Sequence, residues 1–211
     1  MAHTTVILVR HGETEWNLAG RFQGQLDSPL TQLGHAQAQA VAQRLHQESF
    51  THLYSSDLGR AYATAQVIAA ATGHTVLTDE RLREKHGGAL QGMTDNEVAQ
   101  HRREWREQVA QRSPDFAAPG GENTRAVLAR TLAFLDEIAE RHHGEQVVAV
   151  THGGVLSALL RHILGIPQET HRRFHLRNTS LHTINRNEKG DWWVKLLGDA
   201  RHLSQAQDDT V

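Results

Sequence analysis

The chain has 211 residues, a formal net charge of −2 and no cysteine. A balance this close to neutral gives no electrostatic reason to expect nucleic acid or a membrane surface as partner, although local basic clusters can receive a small anion. The missing cysteine removes disulfide scaffolds, thiolate nucleophiles and Cys-based metal sites together, and it fits a reducing, cytoplasmic setting.

The first element is a strand. Thr5 to Val9 is rich in β-branched residues and reads as buried, and its apolar run is too short for a signal-peptide core. No later segment approaches membrane-spanning length. Thr31 is a plausible N-cap for a helix whose Leu33, Ala36, Ala40, Val41 and Leu45 fall near one face. A short strand at His52 to Ser55 and a helix from Leu58 to Thr72 follow, with Gly73 as its stop. "HTVLT", His74 to Thr78, is a further strand. The pattern then fades through Arg83 to Gly121, which holds one polar helix around Thr94 to Arg112.

A long helix, Asn123 to His143, carries Val127, Leu128, Leu132, Leu135 and Ile138 on an apolar stripe. "QVVAVTHGG" repeats the opening pattern, and Val155 to Leu164 continues as a helix ended by Gly165 and Pro167. Ser180 to Asn185 and Asp191 to Leu197 read as paired strands at a sheet edge. Alternating strands and helices predict an α/β fold, a three-layer sandwich with a mostly parallel central sheet flanked by helices. We expect one domain over residues 1–204 and a flexible polar tail over 205–211.

Two strand-His-Gly junctions, "ILVRHGE" and "VAVTHGG", carry the chemistry. In open parallel sheets ligands collect beyond the carboxyl ends of the strands, so His11 and His152 can converge there. Gly12, Gly153 and Gly154 let backbone approach a ligand and are expected to offer it N–H donors. Arg60, in the first turn of a helix after a short strand, and Arg10, beside His11, supply guanidinium forks that match phosphate oxygens. Two histidines and two arginines at three strand ends suit a phosphoryl group.

The ordered set "LVRHGETEWN", "GRFQGQLDSPLT", "LYSSDLGRAYATA", "LRE", "PGGEN", "VTHGG" and "LRNTSLH" resembles the histidine phosphatase superfamily, the phosphoglycerate mutase-like proteins, over nearly the whole chain. The resemblance implies His11 as nucleophile, with Arg10, Arg60 and His152 stabilising the equatorial phosphoryl oxygens. Glu84 matches the acid that protonates the leaving oxygen and then activates water. Asn17 and the backbone of Gly24 resemble further phosphate contacts, Gln23 occupies a variable position, and Gly153 lies on the second junction. A hydrogen bond from one His11 nitrogen to a backbone carbonyl would set the reactive tautomer.

After Glu84 the chain reads "EKHGGALQGMT", whose "GALQG" looks like the mutase branch. Against that branch, Gly87 stands where mutases place a tyrosine, their long insertion with paired arginines is missing, and "THGGV" replaces their His-Gly-Asn. The resemblance therefore implies a metal-independent phosphomonoesterase acting on small phosphorylated metabolites. The alternative is a phosphoglycerate mutase primed by 2,3-bisphosphoglycerate, the only case that calls for a cofactor. A non-catalytic phosphate-ligand binder ranks third, because it would need the arginines but not His11 together with Glu84. No ligand spacing among the 16 histidines suggests a metal, and His142-His143 reads as a helix end where cations suit the dipole. "HRREWRE", His101 to Glu107, reads as a solvated helix face with Trp105 turned inward rather than as an anion attractor. Specificity is expected in Lys85 to Gly121. Oligomeric state is left open, with a homodimer as one option.

Overall fold

The computed structural model describes residues 3–101, 105, 113–170 and 174–204. Its six-stranded sheet has the order β3-β2-β4-β1-β5-β6. The strands are β1 (Thr4–Arg10), β2 (His52–Ser55), β3 (Val76–Thr78), β4 (Gln146–Thr151), β5 (Leu181–Arg186) and β6 (Trp192–Asp199). The first four pair in parallel, and β5 and β6 add on in antiparallel fashion. The sheet is therefore mixed, with its parallel part at the side that carries β1 and β4.

β1 shows why the central strands are continuously apolar. Val6 and Leu8 point to one face, where they pack with residues of α5 (Thr124–Arg141) and α6 (Gly153–Ile163), including Phe134, Ile138 and Leu156. Ile7 and Val9 point to the other, against Val41 and Leu45 of α2 (Gln32–His46) and Ala61, Ala65 and Ile68 of α3 (Gly59–Thr72). With helices on both faces neither side of the strand meets water, so alternation gives way to a hydrophobic run. The result is an α/β sandwich of three layers.

Most element boundaries fall where local chemistry puts them. Thr31 caps α2 by accepting from the Gly34 amide at 2.9 Å, and Asn123 caps α5 by accepting from Ala126 at 2.9 Å. A short helix α1 (Glu15–Leu18) opens with a capping box between Thr14 and Asn17. Gly73 ends α3 at φ 76°. β3 is shorter than predicted: His74 stacks on Phe50 at 4.0 Å and bonds its carbonyl at 2.9 Å, which takes it out of the ladder. α6 begins two residues earlier than predicted, directly after His152. Of the predicted polar helix, α4 (Asp95–His101) and a helical Trp105 are described. Trp105 packs on the small cluster of Leu90, Val98 and Ala118, while 102–104 and 106–112 lie outside the described residues, as do 205–211. Among the described residues no helix is long and apolar enough to cross a membrane.

The reading of His142 as a helix-end cation is corrected. The ring is buried, its Nε2 lies 2.8 Å from the Tyr54 hydroxyl, and burial together with His52 holds its pKa below the ordinary histidine value.

Candidate active site

The register of the parallel strands builds the site. Arg10 of β1 lies opposite Thr151 of β4, so the residues that follow, His11 and His152, leave the sheet side by side. Their ring centroids are 5.2 Å apart, about the spacing of neighbouring strands. β2 ends in Ser55, and Ser56, the residue after it, places its hydroxyl 2.8 Å from His152 Nε2.

A cavity of about 550 Å³ opens over these strand ends. Arg10, His11, Asn17, Gln23, Gly24, Arg60, Glu84, Gly153 and Gly154 all line it, nine of the eleven residues singled out from the sequence, and Gly12 does not. His152 is fully buried behind them and is not part of the lining.

His11 Nδ1 is 2.7 Å from the Gly12 carbonyl, so Nδ1 carries the proton and Nε2 keeps its lone pair for the cavity. Burial first, and then the Arg60 and Arg10 charges, hold the His11 pKa well below the ordinary value. Burial and the same two arginines act likewise on His152, with His11 and Arg130 adding to the effect. Both rings are thus neutral near pH 7. The main chain around His11 is clamped: its N–H donates to Thr151 at 3.0 Å, and its carbonyl accepts from Asn178 Nδ2 at 2.8 Å. The next residue, Thr179, has φ 58°, a strained value for a β-branched residue, held by its N–H bond to the Arg10 carbonyl at 3.0 Å.

Arg60 is pinned by three acceptors. Nη1 donates to Asp27 Oδ1 at 2.8 Å and the Leu26 carbonyl at 2.9 Å, and Nη2 donates to the Gly24 carbonyl at 2.7 Å. Its Nε is buried without a partner among the described residues, as is His152 Nδ1. Buried polar atoms are ordinarily bonded, so two orphans beside one pocket call for a polar ligand. Arg10 donates from Nη1 to the Leu176 carbonyl.

Two of the glycine amides are committed elsewhere. Gly12 N–H donates to Thr64 Oγ1 at 3.0 Å, and Gly154 N–H donates to Glu84 Oε2 at 2.9 Å. The expectation that these N–H groups face a ligand is therefore corrected. They instead fix the loop after β1 and dock Glu84 at the positive end of α6. Glu84 Oε1 accepts from the Lys85 amide at 2.8 Å, while Arg130 Nη2 holds the Glu84 carbonyl at 3.2 Å. Asn17 spends its Oδ1 on Thr14 and keeps Nδ2 for the cavity. Gln23 is tied to Thr14 at 2.8 Å, a supporting position. Gly24 has φ 57°, and a Cβ there would lie 2.3 Å from Gln91 Oε1.

Sequence reasoning missed Asp27, Ser56, Thr64, Arg130 and Asn178. Each acts by orienting another residue and none sits at a spacing that announces it. From the stretch expected to set specificity, Lys85, His86, Gly87, Leu90, Phe116 and Ala118 reach the cavity wall.

Strand ends that gather guanidinium groups, neutral imidazoles and a carboxylate around one cavity define an α/β protein built to hold and act on a phosphoryl group. Comparison with known proteins agrees. The Histidine phosphatase superfamily (branch 1) profile matches residues 6–200. A protein named "Probable phosphoglycerate mutase GpmB" from Yersinia pestis is 42% identical over 202 residues, 94% of each chain. The structure of Bacillus stearothermophilus YhfR superposes with TM-score 0.88 at 34% identity, over 95% of this chain and 100% of that one. A mycobacterial glucosyl-3-phosphoglycerate phosphatase complexed with VO3 gives 0.81 at 30% identity, over 93% and 99%. The chain belongs to the histidine phosphatase superfamily, and it is an enzyme of phosphatase or mutase type.

Proposed function

We propose that the protein hydrolyses small phosphorylated metabolites through a phosphohistidine on His11, without a metal. The observation that carries this reading is the His11 ring itself, held neutral with Nδ1 bonded to Gly12 and Nε2 left for the cavity, beside Arg10 and Arg60. A neutral imidazole is a nucleophile at the pH of the cell, and fixed guanidinium groups offset the charge on the phosphoryl oxygens.

His11 Nε2 attacks phosphorus as the ester oxygen departs in line, and Glu84 delivers a proton to that oxygen. Each Glu84 oxygen accepts one backbone N–H and keeps a second lone pair where the proton can reside. The ionised Glu84 then takes a proton from water, whose oxygen attacks phosphorus and breaks the P–N bond. Inorganic phosphate leaves and His11 is neutral again. Arg60 Nε and His152 Nδ1, buried and without partners among the described residues, are the donors we assign to the equatorial oxygens.

The mutase reading is supported by the name of the relative at 42% identity and by the "GALQG" segment after Glu84. In that case the phosphohistidine would be passed to a second hydroxyl instead of water. The test of the main reading is rapid acid-free quenching with a radiolabelled aryl phosphate. Wild type should yield an acid-labile phosphoenzyme and release phosphate, and His11→Ala should do neither while staying folded. Turnover by His11→Ala would overturn the mechanism. Conversion of 3-phosphoglycerate to 2-phosphoglycerate with a bisphosphoglycerate primer, faster than hydrolysis, would favour the mutase.

A further inference from the structure

The edge of the sheet opposite the phosphate cavity carries a second group of ligand-type side chains. His52 opens β2, His142 caps the end of α5, and Glu145 immediately precedes β4. β4 runs from this group to the other edge, a span of roughly 20 Å for six residues. We propose that His52, His142 and Glu145 bind one transition-metal dication of the zinc class, at a site separate from the phosphoryl chemistry.

The distances fit an ion. Glu145 Oε2 lies 3.2 Å from His142 Nδ1 and 3.7 Å from His52 Nδ1, and the ligand atoms of the three all fall within 4.8 Å of one another. A tetrahedral ion with bonds of about 2.1 Å sets its ligands roughly 3.4 Å apart, so the two carboxylate–imidazole distances already match and the imidazole pair, within 4.8 Å, closes by at most about 1.4 Å through rotation of the half-exposed His52 side chain. The two imidazoles lie with centroids 4.1 Å apart and planes tilted by 43°.

The surroundings orient these ligands as metal sites do. With an ion on His142 Nδ1, Nε2 carries the proton and donates to the buried Tyr54 hydroxyl 2.8 Å away, a partner that fixes both tautomer and ring plane. Thr51 Oγ1 donates to Glu145 Oε2 at 2.6 Å and lies 3.0 Å from His52 Nδ1, so one hydroxyl positions both side chains. On binding, His52 moves its proton to Nε2. The His52 and Glu145 side chains are each 40% exposed, which leaves room for water as a fourth ligand. Two imidazoles and one carboxylate select zinc-class ions over magnesium or calcium, which prefer all-oxygen shells. The ion would tie the end of α5 to the starts of β2 and β4.

The test uses the full chain without a histidine tag, stripped with chelator and titrated with Zn²⁺ against a chromogenic competitor, with Co²⁺ as a spectroscopic probe. Wild type should take up one equivalent, show the intense visible band of a four-coordinate Co²⁺ site, and melt at a higher temperature with Zn²⁺. His52→Ala and Glu145→Gln, both at partly exposed side chains, should lose the equivalent, the band and the Zn²⁺-dependent melting shift while binding vanadate as before. Tyr54→Phe should keep the band but bind Zn²⁺ about 10–100-fold more weakly. Zn²⁺ uptake unchanged in both ligand variants would place the ion elsewhere and overturn the proposal. So would wild-type affinity weaker than about 10 µM, which is too low for a built site.

Discussion

Lowering the pH should destabilise this protein through the same two histidines that define its site. His11 and His152 are buried beside arginines that hold their pKa values well below the ordinary value, so the fold keeps both neutral where the unfolded chain would protonate them. The unfolded state binds more protons below the ordinary pKa near 6.5, so stability rises with pH in the window between the folded and unfolded values and is level above it. If the folded ring stays neutral, the cost per histidine is under ~0.1 kcal/mol at about pH 7.5 and about 2 kcal/mol at about pH 5, with a limiting slope of about 1.4 kcal/mol per pH unit. His11→Asn keeps a donor for the Gly12 carbonyl but does not titrate. Urea unfolding of wild type and variant at both pH values should show the variant losing less than wild type on acidification, by at most about 2 kcal/mol. The buried His182, whose pKa burial and Arg10 lower to about 4, titrates alike in both proteins and cancels in the comparison. Equal losses in wild type and variant would refute the claim that the fold holds His11 neutral.

Arg60→Ala removes a fork that is 1% exposed and should weaken vanadate inhibition on the order of tenfold to a hundredfold; an unchanged inhibition constant would place Arg60 outside phosphate binding. In Gly154→Ala the new Cβ would stand 2.3 Å from Glu84 Oε1, the movable end of a side chain, so the carboxylate should be displaced without loss of fold. We expect turnover to fall about a hundredfold while vanadate binds nearly as before, and retained turnover would free Glu84 of its acid-base role. Gly34→Ala is a different case, because its Cβ would meet the Glu13 carbonyl oxygen at 2.0 Å, backbone against backbone. Urea unfolding should show a loss of more than about 2 kcal/mol, and a neutral result would mean that the loop after β1 yields easily.

How much of this was legible from the chain alone depends on the range over which each interaction acts. Helix caps such as Thr31 and Asn123 bond within three residues, and the apolar run of β1 reports burial on both faces, so local order could be read directly. The motif residues that line the cavity were legible because "RHG" and "THGG" follow strands, and strand ends in a parallel sheet meet at one edge. What the sequence did not contain is any interaction whose partner is chosen by packing. α3 has no side-chain cap of its own; Asp27, far back in the chain, accepts from the Gly59 amide at 2.7 Å and also orients Arg60. The amides of Gly12 and Gly154 look free in sequence, yet Thr64 and Glu84 consume them. His142 ends a helix as a cation would, but the sheet brings Tyr54, His52 and Glu145 around it and makes it a buried neutral ring. Propensity and periodicity are properties of a few consecutive residues, so they determine the elements and which ends of them carry chemistry. Hydrogen bonds and electrostatics fall off over a few ångströms of space, so only the tertiary structure decides which distant residues aim, neutralise and support that chemistry.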